Sequence, residues 1–319
     1  MKISALTDIV EGKLLNTPAI SFVTQIHLNI NKLNDGDAFF ANNQAEIDNA
    51  IGKGIFAIIV DSMPNITDDE IAWIKVENLK KAKTNTLRYF LVQKNTSFTY
   101  IDSVFYKFLN LFKTRDSINN ILTLSNNITK DFELLNNLET DKTIFCTNLK
   151  FLQAISPNIN KLRCKNYKIK NLTIHSLFEV SFSYKDKFFE HIKLPQVYIN
   201  RFMQIIELFE YKIDLKRLNN FELFKPLFIN KSRQVVPNGQ TNRFILANDD
   251  KDICKKEIKY LKQYYNYAIV VIIDMSLFND DEIFLQIKKT EFNALYIKGK
   301  NIKDINKILE QNNSSEKLF

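Results

Sequence analysis

The sequence predicts an α/β protein, and two features of its 319 residues lead to that prediction. Short apolar segments typical of strands alternate with amphipathic helices along almost the whole chain, as they do in α/β folds. The segment from Ala268 to Ile273 is apolar at every position, which is typical of a strand in the middle of a parallel sheet. Domains of about 100–150 residues are common, and the pattern places three of them at 1–83, 84–229 and 230–319.

The first domain is predicted from strands and helices of regular length. Thr67-Asp68-Asp69-Glu70 has the pattern of a capping box, in which the first and last side chains each bond a backbone N–H, and it predicts the start of a helix. The other predicted elements are strands at Asp37–Ala41, Phe56–Asp61 and Ile74–Val76, a helix at Gln44–Lys53 and the start of a helix at Leu79–Lys83.

The second domain begins with the layout of a phosphate-binding loop, which is a strand, a polar turn and a helix. The strand is predicted at Arg88–Val92, the turn at Lys94–Thr99 and the helix at Tyr100–Phe112, where apolar residues recur at helical spacing. The elements predicted after it are a strand at Thr143–Cys146, a hairpin of Leu177–Tyr184 and Lys187–Ile192, and a helix at Val197–Phe209.

The third domain is predicted to follow a turn at Val235–Gln240, where the sequence Pro-Asn-Gly favours a chain reversal. Strands and helices then alternate, as in a parallel α/β unit. The predicted strands are Phe244–Leu246, Ala268–Asp274 and Ala294–Ile297, and the predicted helices are Asp252–Tyr264, Asp280–Lys288 and Ile302–Leu309.

Composition excludes several classes of protein. Hydrophobic residues make up 45% of the chain, which is enough to form cores and argues against disorder. No apolar stretch approaches the ~20 residues that span a bilayer, and an acid at Asp8 interrupts any signal-like run, so we expect a soluble, cytoplasmic protein. Cys146, Cys164 and Cys254 lie far apart without CxxC spacing, which indicates buried, reduced thiols rather than zinc ligands or disulfides.

The formal net charge is +8, and the densest basic stretch surrounds Tyr167. Its cations are Lys161, Arg163, Lys165, Lys168 and Lys170. A basic patch with an aromatic residue could hold a nucleic-acid backbone. We favour a solvated face or loop, because runs of charge are usually exposed to solvent without a partner.

Few of the remaining polar residues indicate a metal site. His27, His175 and His191 have no cysteine or acid at metal-ligand spacing, so we expect surface or satisfied core histidines. Asp61 and Asp274 end predicted strands, where a carboxylate could hold Mg²⁺ or cap the next turn, and we favour the cap. Asp249-Asp250 end another predicted strand, where they either contact a substrate in a ligand crevice or cap the following helix, and we favour the cap.

The predicted phosphate loop has the wrong residues for its chemistry. A working loop needs glycines, so that backbone N–H groups can close around phosphate, and a lysine that reaches the terminal phosphates. The turn Lys94-Asn95-Thr96-Ser97-Phe98-Thr99 contains no glycine and no lysine at that place. We assign Lys94, Asn95, Ser97 and Thr99 to a degenerate nucleotide loop.

Three stretches of the chain, in order, resemble the Mur ligases of peptidoglycan synthesis. Asn29–Ala41, followed by Ala50–Val60, is similar to the D-S-R-x-V-x-P-G-D-x-F-V-A segment and the next helix–strand pair of the family's UDP-sugar-binding domain. Val92–Thr99 stands where the family has G-x-N-G-K-T-T, and only Asn95 and Thr99 match. Val270–Glu282 looks like the G-D-M-x-E-L-G segment of the D-Ala-D-Ala-adding branch.

The resemblance implies a three-domain Mur-ligase-like arrangement with a reduced central domain. It also implies which residues are remnants of the family's sites. The remnant of the UDP-sugar domain is Asn29, Asn31, Gly36 and Asp37, and the remnant of the C-terminal domain is Asp249, Asp250 and Asp274. Because Ser97 stands near the place of the lysine and Phe98 at that of a small hydroxyl residue, no catalytic set and no metal site carry over. ATP and Mg²⁺ are expected only if the atypical loop works.

Three functions agree with these residues. We favour a non-catalytic relative of the Mur ligases that binds a cell-wall precursor, such as a UDP-N-acetylmuramoyl-peptide, or a cell-wall enzyme. An alternative is an active ATP-dependent amide ligase whose phosphate contacts are Lys94, Ser97 and Thr99. A third is a protein that binds nucleic acid through the stretch Lys161–Lys170.

Overall fold

The computed structural model describes residues 1–92, 94–114, 121–138 and 142–315, which form two compact units. The first unit contains residues 1–102 and 114–162, and the second contains residues 103–113 together with the chain from 163 onward. Helices alternate with strands, which confirms the predicted α/β class. The domain boundaries after residues 83 and 229 stay a prediction.

Most predicted elements are present in the structure, with ends that shift by a few residues. The described helices are α1 (Ile3–Ile9), α2 (Gln44–Ile51), α3 (Leu79–Val92), α4 (Ser103–Phe112), α5 (Ile128–Asn136), α6 (Leu149–Ile155), α7 (Ile199–Leu208), α8 (Lys251–Tyr264), α9 (Asp280–Lys289) and α10 (Ile302–Ser315). The described strands are β1 (Lys13–Leu14), β2 (Ile26–His27), β3 (Ala38–Phe40), β4 (Ala57–Val60), β5 (Ala72–Lys75), β6 (Ser97–Tyr100), β7 (Ile121–Thr123), β8 (Thr143–Cys146), β9 (Ile159–Lys161), β10 (Lys170–Ser176), β11 (Glu179–Tyr184), β12 (Lys187–Ile192), β13 (Leu227–Phe228), β14 (Phe244–Asn248), β15 (Val270–Asp274) and β16 (Ala294–Lys298).

The first unit is built on two sheets. One has the order β1-β5-β4-β3-β2 and is parallel except for β1, and the other has the order β7-β8-β6-β9 and is parallel throughout. A single apolar core contains side chains of both sheets, such as Ile59 of β4 and Ile144 of β8, together with α1, α3, α5 and α6. This core fixes the position of one sheet relative to the other.

The second unit combines an antiparallel sheet with a mixed one. Strands β10, β11 and β12 form consecutive hairpins, which confirms the predicted turn between β11 and β12. The mixed sheet has the order β13-β14-β16-β15, in which only β13 is antiparallel. Helix α4 packs on α7, and the ring of Phe108 stacks on Phe221 with centroids 4.2 Å apart.

The predicted strand at Arg88–Val92 is wrong, because this segment is the last part of α3. Leu79, Ala82, Leu87 and Leu91 are buried at helical spacing, so the apolar stripe of the helix continues through it. A short apolar run is compatible with either a strand or a buried part of a helix, and the contacts of α3 decide the outcome here.

The predicted helix start at Thr67–Glu70 is also wrong. Residues 62–70 form no helix and lead directly into β5, where Trp73 is fully buried. The apolar run after Glu70 is needed as a strand of the first sheet, and this requirement overrides the local capping pattern.

Strand β15 departs from its prediction in position rather than in type. Its continuous apolarity predicts a central strand, but β15 pairs with β16 alone among the described residues and therefore lies at an edge of the sheet. Val270–Ile273 are only partly buried there. The pattern of a central strand thus occurs on an exposed edge.

The cysteines follow the prediction in part. Cys146 and Cys254 are buried, whereas Cys164 is exposed on the irregular connection between β9 and β10, so the expectation of burial is wrong for Cys164. None of the three forms a disulfide. Among the helices of the described residues, none is both long and apolar enough to span a membrane.

Candidate ligand-binding site

The residues assigned to the degenerate nucleotide loop lie before and within strand β6. Lys94 and Asn95 lie in the connection from α3, whereas Ser97 and Thr99 belong to the strand itself. The Lys94 ammonium donates hydrogen bonds to the last two main-chain carbonyls of α5, at 3.3 and 2.8 Å, and burial lowers its pKa. Lys94 therefore stabilises a helix C-terminus, where a cation is favoured.

The order of elements around this turn is the reverse of a phosphate loop. The turn precedes a strand, whereas phosphate binds after the carboxyl end of one. At the carboxyl end of β6, only Ile101 and Asp102 connect the strand to α4. The phosphate-loop pattern has about eight residues between strand and helix. The residues around β6 therefore do not fit the phosphates of ATP.

The predicted remnant of the UDP-sugar domain lies around the end of β2 and the start of β3. The Asn29 side chain accepts a hydrogen bond from the backbone N–H of Asn31 (3.1 Å) and caps a short 3-10 helix. Gly36 has φ +84°, and a Cβ atom there would lie 2.9 Å from Thr24 Oγ1 and 3.3 Å from the ring of Phe56. Asn29 and Gly36 thus have structural roles.

Asp37 belongs to a buried polar cluster around His27. The Nδ1 atom of His27 is 3.0 Å from Glu133 Oε2, and its Nε2 atom is 3.6 Å from Asp37 Oδ2. Glu133 also lies 3.4 Å from the Lys32 ammonium and accepts a bond from the backbone N–H of Leu28 (2.9 Å). The cluster joins α5 to the first sheet, so His27 is a core histidine. Its Nε2 atom has no hydrogen-bond partner among the described residues, so the expectation of a satisfied ring is wrong for that atom.

The predicted aspartates of the C-terminal region lie at the carboxyl-terminal end of the mixed sheet. The parallel register of β14, β16 and β15 aligns the carboxyl ends of these strands there. Asp250 caps α8 by accepting bonds from two backbone N–H groups, as the capping alternative predicts, whereas Asp249 is exposed. Asp274 accepts a bond from the Ser276 hydroxyl and lies 3.0 Å from the Lys298 ammonium, and these partners lower its pKa to about 2. Their role as remnants of a substrate site stays a prediction.

A cavity of about 660 Å³ lies in the first unit at the carboxyl ends of parallel strands from both sheets. Open α/β sheets bind their ligands at such ends. The connections after β3, β4, β7 and β8 contribute polar side chains to it, and α3 and α6 contribute lysines. Its charged and amide side chains are Asn42, Asp61, Lys80, Lys83, Asn126, Asp131, Asn148 and Lys150.

Lys83 is the cation with the greatest desolvation in this cavity. Its ammonium donates a hydrogen bond to the amide oxygen of Asn42 (3.1 Å) and lies 6.0 Å from the ring centroid of Phe40. Burial lowers the pKa of Lys83, and the charges of Glu46 and Asp61 oppose that shift. A partly desolvated ammonium gains most from an anionic partner, so the cavity favours an anionic ligand.

Besides Asp61, the cavity is lined by the carboxylate of Asp131, which is held by Ser125 and does not neutralise the lysines of the cavity. Asp131 is buried and accepts hydrogen bonds from the backbone N–H (2.8 Å) and the hydroxyl (2.9 Å) of Ser125, at the start of α5. Lys80 and Lys150 are exposed and line the opening. The arrangement therefore combines one desolvated cation with two solvated ones, as a binding site for phosphate or carboxylate groups would.

Sequence reasoning missed this cavity, although a signal for part of it was present. Asn42, Asp61 and Asn148 stand at or just after the ends of predicted strands, where an α/β sheet places its ligands. The lysines carried no such signal, because α3 exposes several cations and only the packing of α3 decides which of them points inward.

The basic stretch is exposed to solvent, and its binding of nucleic acid stays a prediction. The cations from Lys161 to Lys170 are exposed, but the Tyr167 hydroxyl donates a hydrogen bond to Glu207 (2.7 Å), and its ring packs on Tyr184. His175 and His191 stack on each other with centroids 4.3 Å apart. Among the described residues, no group of three or more His, Cys, Asp or Glu side chains could hold a metal ion.

The fold is similar to two solved ligase structures. MurF ligase from Thermotoga maritima in complex with ADP matches with 9% identity over 91% of this chain and 96% of that chain, with a TM-score of 0.50. MurF from Acinetobacter baumannii matches with 10% identity over 97% of this chain and 98% of that chain, with a TM-score of 0.51. No protein-family model and no curated protein matches the chain.

The chain therefore has a Mur-ligase-like α/β fold, as its sequence resemblance predicts. At 9% and 10% identity, the likeness is one of fold.

Proposed function

We propose that this chain is a Mur-ligase-related protein of peptidoglycan metabolism, which binds an anionic cell-wall precursor in the first unit and does not catalyse ATP-dependent ligation. The observation that supports the proposal most directly is the cavity around Lys83, at the carboxyl ends of parallel strands in a Mur-ligase-like fold. A UDP-N-acetylmuramoyl-peptide has the chemistry that such a cavity favours.

The ligand chemistry follows from the lining side chains. Lys80, Lys83 and Lys150 supply cations for a diphosphate or for peptide carboxylates. The amides of Asn42 and Asn148 offer both donors and acceptors for sugar hydroxyls and peptide groups. A volume of about 660 Å³ lies within the range of about 300–1,000 Å³ that is usual for small-molecule sites.

The non-catalytic part of the proposal is supported by the geometry of β6. ATP-dependent ligation needs a lysine and a metal-holding hydroxyl beside the transferred phosphate, because phosphoryl transfer depends on charge stabilisation. Lys94 bonds carbonyls of α5 instead, and the Ser97 hydroxyl donates to Thr143 Oγ1 (3.1 Å). The alternative of an active ligase that uses Lys94, Ser97 and Thr99 is therefore less well supported.

Calorimetric titration of the full chain with UDP-N-acetylmuramoyl-tripeptide tests the binding. We expect Lys83→Met to weaken binding by at least about tenfold, since a hydrogen bond to a charged group contributes about 1.5–3 kcal/mol. Lys81→Met is the matched control, because Lys81 lies on the same helix but pairs with Glu11 (2.6 Å) and does not line the cavity. Equal affinities of the two variants would place the ligand elsewhere.

Hydrolysis of ATP in the presence of Mg²⁺ tests the second part separately. We expect no hydrolysis above the level of a buffer control, with or without the precursor. Robust Mg²⁺-dependent hydrolysis would overturn the non-catalytic assignment and leave the binding result unaffected. Absence of any heat of binding across several temperatures would overturn the precursor as ligand, and a cell-wall enzyme would then be the partner to test.

A further inference from the structure

The edge of the second unit's mixed sheet has an unusual composition. Strand β15 pairs with β16 on one side and with no strand on the other among the described residues. The run from Ala268 to Ile273 contains no charge and no proline, which are the residues that normally protect a sheet edge from pairing with another chain. An edge of this kind is a template for a further strand.

Apolar side chains continue the edge on both sides of β15. Tyr267 is 80% exposed and Ile269 is 58% exposed just before the strand, and Leu277 is 96% exposed just after it. Large apolar side chains that are grouped in this way mark interaction surfaces, whereas single exposed ones are normal. We call the segment from Tyr267 to Leu277 the β15 edge.

The two most exposed side chains of the β15 edge lie symmetrically about its midpoint. Ile272 is the middle residue of β15, and the two most exposed side chains, Tyr267 and Leu277, each lie five residues from it. If two copies of β15 pair in antiparallel orientation about Ile272, Val271 of each copy lies opposite Ile273 of the other. The turn that carries Tyr267 then comes beside the partner's Leu277, and the same contact forms twice, as in an isologous interface.

The charges of the β15 edge agree with self-pairing. Its only charged residue is Asp274, and that carboxylate is already paired with Lys298 at 3.0 Å. An acidic or basic partner would find no complementary charge here. A second apolar strand edge satisfies both the unpaired backbone groups and the exposed side chains, and this chain supplies one.

We propose that two copies of this chain form a two-fold symmetric dimer through antiparallel pairing of their β15 edges, with the axis at Ile272. The dimer continues each four-stranded mixed sheet into that of its partner. The interface is separate from the ligand cavity of the first unit, and it exists whether or not a precursor binds there.

Sedimentation equilibrium of the full chain tests the dimer, with an expected mass of twice 37.4 kDa in the micromolar range. Tyr267→Lys and Leu277→Asp should each give monomers, because each places two charges against apolar partners. The double variant Tyr267→Lys/Leu277→Asp should dimerise again, since each lysine then faces an aspartate of the other copy. Phe188→Lys, a change at a 60% exposed residue of β12, should leave the dimer intact.

The proposed register has a covalent test. In a Cys164→Ser background, which removes the exposed native thiol, Tyr267→Cys/Leu277→Cys should form a disulfide-linked dimer on oxidation. Peptide mapping should find residue 267 of one chain joined to residue 277 of the other. A monomeric parent chain across the micromolar range overturns the proposal. A dimer that both single charge variants leave unchanged, or one without the 267–277 link, overturns it as well.

Discussion

We expect Glu257 to make the free energy of unfolding depend on pH. Its carboxyl group is on the buried face of α8, is 1% exposed, and accepts hydrogen bonds from the hydroxyls of Tyr198 (2.5 Å) and Tyr296. Burial disfavours the charged form, and the two tyrosines and a backbone N–H offset this effect only in part. The pKa of Glu257 is raised from 4.5 to about 7.

The sign of the effect follows from where the proton is held. Between pH 4.5 and 7 the folded chain keeps the proton on Glu257 while the unfolded chain releases it, so the free energy of unfolding falls as the pH rises. The stabilisation that the protonated Glu257 gives to the folded chain is fully present below pH 4.5 and is lost by pH 7. At 1.36 kcal/mol per pH unit, the loss over this window is about 3 kcal/mol.

Glu257→Gln removes the titration and keeps a polar side chain of the same shape. We expect the difference in the free energy of unfolding between parent and variant to change by about 3 kcal/mol from pH 4.5 to 7 and to be level above pH 7. Urea unfolding followed by circular dichroism at a series of pH values measures it.

Two results would refute this reasoning. A difference curve that is flat between pH 4.5 and 7 would mean that Glu257 titrates as a solvated carboxyl. A parent that gains stability over the variant as the pH rises would mean that the tyrosine hydroxyls outweigh burial. Tyr198→Phe removes one donor to the carboxylate, and it should extend the pH-dependent window above 7.

Three further substitutions should lower stability by different amounts. Gly36→Ala should lower the free energy of unfolding in urea by about 1–2 kcal/mol, because an alanine is strained at positive φ. Gly52→Ala is the control and should be nearly neutral, because Gly52 has a negative φ. Asn279→Ala should cost about 1 kcal/mol, because Asn279 caps α9 in a capping box, and Asn279→Ser should restore most of it. His27→Ala should lower the free energy of unfolding by about 2 kcal/mol, because it removes a buried hydrogen-bond partner of the Glu133 carboxylate, and a loss below that of the capping variant would contradict this account.

The α/β class was predictable because apolar spacing reports which face of an element is buried. In α8, Ile253, Cys254, Tyr260 and Leu261 lie on one helical face, and they are buried as that spacing predicts. Glu257 lies on the same face, so its burial could have been read from the sequence. Its tyrosine partners could not, because they come from a 3-10 helix and from β16, which are distant in sequence.

Local signals failed where tertiary contacts compete with them. Thr67–Glu70 and Asn279–Glu282 have similar capping patterns, yet only the second begins a helix. After Asn279 an amphipathic stripe follows, and its apolar side chains pack into the core of the mixed sheet. After Thr67 the apolar run at Ala72–Lys75 is needed between β1 and β4, so strand pairing takes precedence over the cap.

The two parts of the proposed function, ligand binding and the absence of ATP-dependent ligation, are compatible because they depend on different parts of the first unit. A phosphate loop depends on the length and glycine content of the one connection after β6, which here is Ile101-Asp102. The cavity depends on the ends of β3, β4, β7 and β8 and on Lys83 of α3. A short connection after β6 therefore leaves the second set of residues in place, so the proposed binding of an anionic ligand does not depend on the proposed absence of ligation.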